Sequence, residues 1–321
     1  MTIQFKPAQR ENIPQLIGLA GGTGSGKTYT ALRLATGLAG GKPIAFIDTE
    51  NKRAKHYADE FKFEHADMRA PFRPQAYIDH IMAAQQAGFG VAVIDSTSHI
   101  WAGDGGILDW QEEELDRMAA DDWKKREACK MAAWIKPKMA HKEFVTKLLQ
   151  LNMHVIMCFR AEEKIDMIRE NGKTKIVPKE TMTGLNGWVP ICEKNLPFEL
   201  TMSLLFTADK PGIPKPIKLP EKLRSFFPLD QVVTEKAGQQ LAAWSAGAAT
   251  AESPRREAGV ESTSSAASPD LLKAGEYAAQ GGVQAYVEWR DKLSAEDKEK
   301  IRPHNAAWSK LAKESDEANK Y

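Results

Sequence analysis

The sequence predicts an α/β fold built on a doubly wound, mainly parallel sheet, followed by a flexible linker and a small helical appendage. Three observations carry that expectation. Strand-like apolar runs alternate with longer segments of helical periodicity, the pattern of repeated strand–helix–strand units. A glycine-rich turn separates the first apolar run from the first helical segment. Far along the chain, a stretch with almost nothing to bury interrupts the pattern.

The strand-like runs are Leu16 to Ala20, Pro43 to Asp48, Gly90 to Asp95 and Met153 to Phe159. Between them, Tyr29 to Leu38 and Ala76 to Ala87 place apolar residues every three or four positions, as helices require. Glu199 to Thr207 is a candidate late strand. Ile165 to Val177 reads as a hairpin, turning at Glu170-Asn171-Gly172-Lys173 because Asn-Gly tolerates positive φ. The core is expected to span residues 1–244, ending at Trp244. In residues 245–269, 19 of 25 are Ala, Gly, Ser, Thr or Pro, too little apolar area to offset chain entropy, so a flexible linker is expected. Residues 270–321 resume helical periodicity through Leu271, Ala274, Ala278, Tyr286, Leu293 and Leu311. Trp289 and Trp308 there either form a small core or dock a protein partner.

With 321 residues, 42 % of them hydrophobic, the chain can build one large core plus an appendage. A formal charge of +1 argues neither for nor against nucleic acid, so such a partner needs a local basic surface. Three cysteines without CxxC spacing and seven scattered histidines suggest no disulfide framework and no zinc site. The first ten residues hold no signal-like apolar core, and no run approaches the roughly 20 apolar residues of a membrane span. A cytoplasmic setting is the expectation.

Residues 21–28 read Gly-Gly-Thr-Gly-Ser-Gly-Lys-Thr, a full GxxxxGK[ST] match set between a strand and a helix. Such glycines let backbone N–H groups turn inward around phosphate oxygens, and the helix N-terminus adds a favourable dipole. The nucleotide-contacting set is then Gly21, Gly22, Thr23, Gly24, Ser25, Gly26, Lys27, Thr28 and Tyr29. Lys27 is expected to reach the β/γ-phosphates of ATP, and the Thr28 hydroxyl to ligate Mg²⁺.

Two later strands end in acids. Val91-Ala92-Val93-Ile94-Asp95 has the form of a Walker B strand, with Asp95 either holding Mg²⁺ or capping the next helix. Ile44-Ala45-Phe46-Ile47-Asp48-Thr49-Glu50 presents Glu50 just past a carboxyl end, where open α/β sheets bind ligands. Glu50 either activates the attacking water or, with Asp48, is a solvated loop acid.

In that order and spacing, the three motifs resemble the RecA-like recombinase ATPases. Val155 to Arg160, the hairpin segment, and Phe227-Pro228-Leu229 leading to Trp244 are similar to shortened RecA-like ATPases of bacteriophages. These include single-strand annealing recombinases of the Sak type. The resemblance covers about residues 12–244. It implies a RecA-like P-loop fold, Mg²⁺-dependent ATP hydrolysis with Glu50 as the water-activating glutamate, assembly into a filament or ring, and single-stranded DNA as partner. RecA carries a polar amide after its fourth strand, whereas Phe159 and Arg160 stand here. Arg160 is either a phosphate sensor or arginine finger that stabilises charge on the transferring phosphoryl group, or an ordinary strand-end arginine paired with Glu162 or Glu163.

The loop after the fourth strand contacts DNA in that family, and here it carries Lys164, Arg169, Lys173, Lys175 and Lys179. A second candidate surface lies in Trp123 to Lys147, including Lys124 and Lys125, with Trp134 and Phe144 interspersed. The plainer reading is a solvated basic face over core aromatics. Lys215 and Lys218 either reach a neighbour's nucleotide or sit in a solvated proline-rich loop. Three readings follow. They are a recombination or annealing ATPase, a DNA-remodelling motor or loader, and a nucleotide-gated partner-binding protein with little hydrolysis.

Overall fold

The computed structural model describes residues 5, 7–170, 173–180, 185–247 and 269–318. The chain divides after Glu252 into two compact units.

In the first unit, β1 (Leu16–Gly21) runs into α1 (Lys27–Leu38), then β2 (Ile44–Asp48) and a short edge strand, β3 (Glu64–Asp67). α2 (Pro74–Gln86) leads to β4 (Val91–Asp95). Four helices follow: α3 (His99–Ala102), α4 (Ile107–Ala119), α5 (Trp123–Cys129) and α6 (Ile135–Leu149). β5 (His154–Glu163) enters a hairpin of β6 (Ile165–Glu170) and β7 (Lys173–Pro178), then β8 (Trp188–Pro190) and α7 (Leu196–Glu199). β9 (Met202–Thr207), β10 (Lys210–Lys218) and α8 (Glu235–Ser245) complete the unit.

The strand order is β10-β9-β1-β5-β4-β2-β3, parallel except for β10 at the edge, with β8 pairing antiparallel to the extension of β5. β1, β2 and β4 are buried along their whole length, as near-continuous apolar runs require in a sheet covered on two faces. One core packs α1 and α8 on one face through Leu32, Leu34, Leu38 and Leu241. The other packs α2 and α6 on the opposite face through Tyr77, Ile81, Phe144 and Leu148. α1 and α8 meet backbone to backbone at Gly37. A Cβ there would lie 1.9 Å from the Glu235 carbonyl, so only glycine permits the approach.

Several expectations need correction. The fourth strand does not stop at Phe159 but continues to Glu163, because β8 supplies partners for its extension. The late strand begins at Met202. Pro197 sits at the start of α7, which takes Glu199 out of the sheet. The proline-rich segment is strand β10, tolerated because it is an edge strand with two register breaks against β9. Lys218 is accordingly neither a solvated loop residue nor free to reach a neighbour, since its Nζ donates to the Phe198 and Leu200 carbonyls at 2.6 Å each. Lys215 lies on that same edge strand, in register with Leu205. The hairpin pairs antiparallel as expected, while its turn residues Asn171 and Gly172 lie outside the described residues. So does most of the expected linker, residues 248–268.

The second unit contains α9 (Pro269–Gln280), α10 (Val283–Asp291), α11 (Ala295–Ile301) and α12 (Asn305–Ala318). Its core is Ala279, Tyr286, Ile301, Trp308 and Ala312, with Trp289 packed edge-on to Trp308 at 5.9 Å. Of the two readings of these tryptophans, the structure shows the small core.

Candidate nucleotide site

Parallel pairing levels the strand ends. Asp48, Asp95 and Cys158 are in register across β2, β4 and β5, and Gly21 faces Arg160 across β1 and β5. Every functional candidate from these strands therefore emerges at the carboxyl end of the sheet. There a cavity of about 650 Å³ is lined by residues 21–28, Glu50, Arg53, Tyr57, Asp95, Arg160 and Ile191.

The loop turns into α1 through Gly26, whose φ of +80° at the helix N-cap is a left-handed conformation that other residues adopt only under strain. α1 has no side-chain cap, so its first amides are left to an anion. Lys27 Nζ lies in the same loop, donating to the Gly22 carbonyl at 3.0 Å. The Thr28 hydroxyl donates to Asp95 Oδ2 at 2.6 Å. A hydroxyl and a carboxylate brought together beside a cationic loop form a donor set that suits Mg²⁺ on a polyphosphate. Asp95 caps no helix, as α3 begins four residues later without a side-chain cap.

Burial pushes the Asp95 carboxyl up to about 6, against the opposing pull of the Thr28 hydrogen bond and the Lys27 charge. The folded protein thus holds this proton more tightly than the unfolded chain, whose carboxyl sits near 3.8. On this group alone, stability rises as pH falls through 6 and is lost above it. Asp95→Asn should then melt higher than the parent at pH about 8, by as much as about 3 kcal/mol, with the gap narrowing at pH about 5. An equal loss of stability at both pH values would show instead that the carboxylate holds the fold together through Thr28.

Asp48 and Glu50 are not solvated loop acids. Asp48 is fully buried and accepts from the Glu50 amide at 2.7 Å, the Ala54 amide at 3.1 Å and His65 Nε2 at 3.1 Å. It shapes the turn that presents Glu50. Glu50 Oε1 accepts from Arg160 Nε at 2.9 Å and Nη2 at 2.6 Å, and Oε2 accepts from Arg53 at 3.1 Å. Burial alone would raise the Glu50 pKa, but Arg160, His99 and Arg53 together outweigh it, and the net shift is downward. Arg160 therefore pairs with Glu50, not with Glu162 or Glu163.

Three participants carried no sequence signal. Arg53 and His99 belong to no motif, and Thr49 lies between two acids that drew the attention. Thr49 Oγ1 accepts from the Ser96 amide at 2.7 Å and lies 2.8 Å from His99 Nδ1, while His99 Nε2 stands 3.9 Å from Glu50. Burial and then the Arg160 charge lower the His99 pKa. Tyr29, by contrast, lies outside the cavity lining. Its hydroxyl donates to Glu60 at 3.0 Å, and its ring packs edge-on against Tyr57.

The basic surfaces are less basic than their sequences suggest. In the hairpin, Lys164 pairs with Glu162 at 3.4 Å and Lys179 with Asp166 at 3.5 Å, while Arg169 is exposed. Lys173 pairs in register with Glu170 and Lys175 with Ile168. In the helical segment, Arg126 pairs with Glu112 and Asp116, and Lys136 with Glu114. Lys124 and Lys125 stay exposed at the start of α5, where Asp122 caps their amides. Of the two interspersed aromatics, Phe144 is core and Trp134 is half-buried, stacked on Trp101. Among the described residues no group of His, Cys, Asp and Glu side chains is placed to hold a metal by itself, and no helix is long and apolar enough to cross a membrane.

A protein-family model described as an AAA domain matches residues 13–191. No curated protein matches the chain. Among solved structures, a KaiC-like protein from the hyperthermophilic archaeon Pyrococcus horikoshii OT3 matches with 18 % identity and a TM-score of 0.28. The match covers 56 % of this chain and 89 % of that one.

Proposed function

The chain belongs to the AAA domain family as a nucleotide-binding ATPase of RecA-like P-loop fold, and from that premise we propose that it hydrolyses ATP with Mg²⁺ and couples the nucleotide to single-stranded DNA. The recombination and annealing ATPases of bacteriophages are the type of protein meant. One observation carries the catalytic half. A single cavity collects an anion-binding loop with Lys27, the Thr28–Asp95 pair, and Glu50 with a depressed pKa.

The loop amides and Lys27 would bind the β/γ-phosphates, and Thr28 and Asp95 would hold the metal. Mg²⁺, when bound, neutralises charge on the phosphate oxygens. Glu50 would orient the attacking water and take its proton. Arg160 and Arg53 keep that carboxylate ionised, and Arg160, half exposed, is placed to exchange Glu50 for a phosphoryl oxygen.

The DNA half rests on the hairpin. It leaves the sheet just beyond Arg160, and Ile165, Met167 and Ile176 are exposed along it beside Arg169. Bases could stack or insert there while cations follow the phosphates. Lys173→Ala with Lys175→Ala should make the log–log salt dependence of oligonucleotide affinity shallower, by about 0.7 for each phosphate that is no longer neutralised, without changing ATP affinity. Lys124→Ala with Lys125→Ala gives the parallel test for α5. Unchanged slopes in both pairs would remove these surfaces from the DNA path.

The Glu50–Arg160 pair also favours a second reading, a nucleotide-gated partner-binding protein with little hydrolysis, because a carboxylate held by two arginines is slow to take a proton. An ATPase assay with and without single-stranded DNA, joined to electron microscopy for filaments or rings, separates the two. DNA-stimulated turnover supports the first reading, while ATP binding without turnover in any condition selects the second.

A further inference from the structure

A second cleft, of about 720 Å³, opens between α3, α6 and the segment leading into α7. Trp101 and Trp134 line it, their rings 6.1 Å apart and inclined by 25°. His141, only 7 % exposed, stands edge-on to Trp101 at 6.2 Å, and its Nε2 has no hydrogen-bond partner among the described residues. Lys138, Lys142 and Lys194 also line the cleft, and none of them has a carboxylate partner among the described residues. Lys138 Nζ lies 5.3 Å from the Trp134 ring centre. Of the two acids in the lining, Glu193 already accepts from the Asn195 amide at 2.8 Å and side-chain nitrogen at 3.2 Å, and Glu199 is exposed.

Two stretches of chain serve this cleft and the nucleotide cavity at once. Ile191 lines the nucleotide cavity and Cys192 the cleft. His99 faces Glu50, and two residues on along α3 Trp101 lines the cleft. An occupant of the cleft thus touches the elements that position the Glu50 carboxylate.

We propose that this cleft binds a nucleotide unit of a single strand, the base against the indoles and the phosphate among the lysines. The chemistry fits in each part. Indole faces stack on any base, and ammonium groups without carboxylates attract phosphate. A purely aliphatic ligand would gain nothing from the three exposed ammonium groups that rim the cleft. The inference rests on the single-strand reading above but places a contact away from the hairpin, with α3 as the link by which DNA stimulates turnover.

The test is quenching of tryptophan fluorescence in the full chain by an oligothymidylate of about 15 nucleotides, with thymidine monophosphate as a second arm. Trp134→Ala should weaken oligonucleotide binding by about 5- to 150-fold, the range of one base stack, whereas Trp134→Phe should keep most of it. Lys142→Ala should make the salt dependence shallower by about 0.7 while leaving ATP affinity unchanged. Oligonucleotide binding that is normal in all three variants overturns the cleft but leaves the hairpin reading standing. Quenching by the mononucleotide alone, abolished in Trp134→Ala, supports a nucleotide site fed by free nucleotide and sinks the single-strand reading. No response to either probe overturns the cleft proposal.

Discussion

Glu50→Gln should bind ATP with Mg²⁺ almost as the parent does and turn it over about 10²- to 10⁴-fold more slowly, the usual worth of general-base help. The amide keeps the shape of the carboxylate, and its one oxygen still accepts from Arg160, whose Nε and Nη2 reach Glu50 at 2.9 and 2.6 Å. The 3.1 Å bond from Arg53 is lost because an NH₂ replaces its acceptor. The amide cannot accept a proton from water. Single-turnover kinetics with ATP in the binding-saturated regime would separate the loss of chemistry from any loss of affinity. Arg160→Ala tests the same carboxylate from outside. Burial raises the Glu50 pKa and the arginines lower it, so removing Arg160 leaves burial less opposed. The acidic limb of the pH–rate profile should then move to higher pH. Turnover near the parent rate in Glu50→Gln would make Glu50 a structural acid and leave Arg160 and Asp95 as the groups to test.

The parts of this molecule that were legible in the sequence are those whose cause is local. β1, β2 and β4 announce themselves as apolar runs because a strand covered on two faces has no reason to alternate. The loop at residues 21–28 is legible because the glycines are a backbone requirement, not a packing outcome. β3, with the sequence Glu-His-Ala-Asp, has no strand pattern and exists because β2 offers it an open edge. β10 hides behind its prolines for the same reason, since only an antiparallel edge tolerates them. In the site, Lys27, Thr28, Asp95 and Glu50 could be named from spacing, but their partners could not. Arg160 reaches Glu50 across 110 residues, and that pairing depends on β5 running in register with β4 and β2 and then continuing past their ends. Side-chain pairings set by register leave no trace in local composition.

Lys27→Ala should abolish measurable ATP binding while leaving the fold intact. The lysine is not part of either sheet-face core, and its one hydrogen bond, to the Gly22 carbonyl, is within the loop itself. Its removal leaves no cavity behind, and at pH about 5, where Asp95 holds its proton and has least need of the Lys27 charge, melting of the ATP-free variant should match the parent within about 0.5 kcal/mol. What it removes is the only charge in the loop opposite a polyphosphate that carries several negative charges. A ligand that binds only the native state stabilises it by RT ln(1 + [L]/Kd), about 2.7 kcal/mol at a hundredfold excess over Kd. Parent protein should show that rise in melting temperature with saturating ATP and Mg²⁺, and Lys27→Ala should show none at the same concentration. Thr28→Ala gives the intermediate case. It breaks the 2.6 Å bond to Asp95 and should lose the part of the ATP-induced shift that depends on Mg²⁺, keeping the part seen with chelator present. A Lys27→Ala protein that melts like the parent and retains the full ATP-induced shift would place the nucleotide somewhere other than this loop.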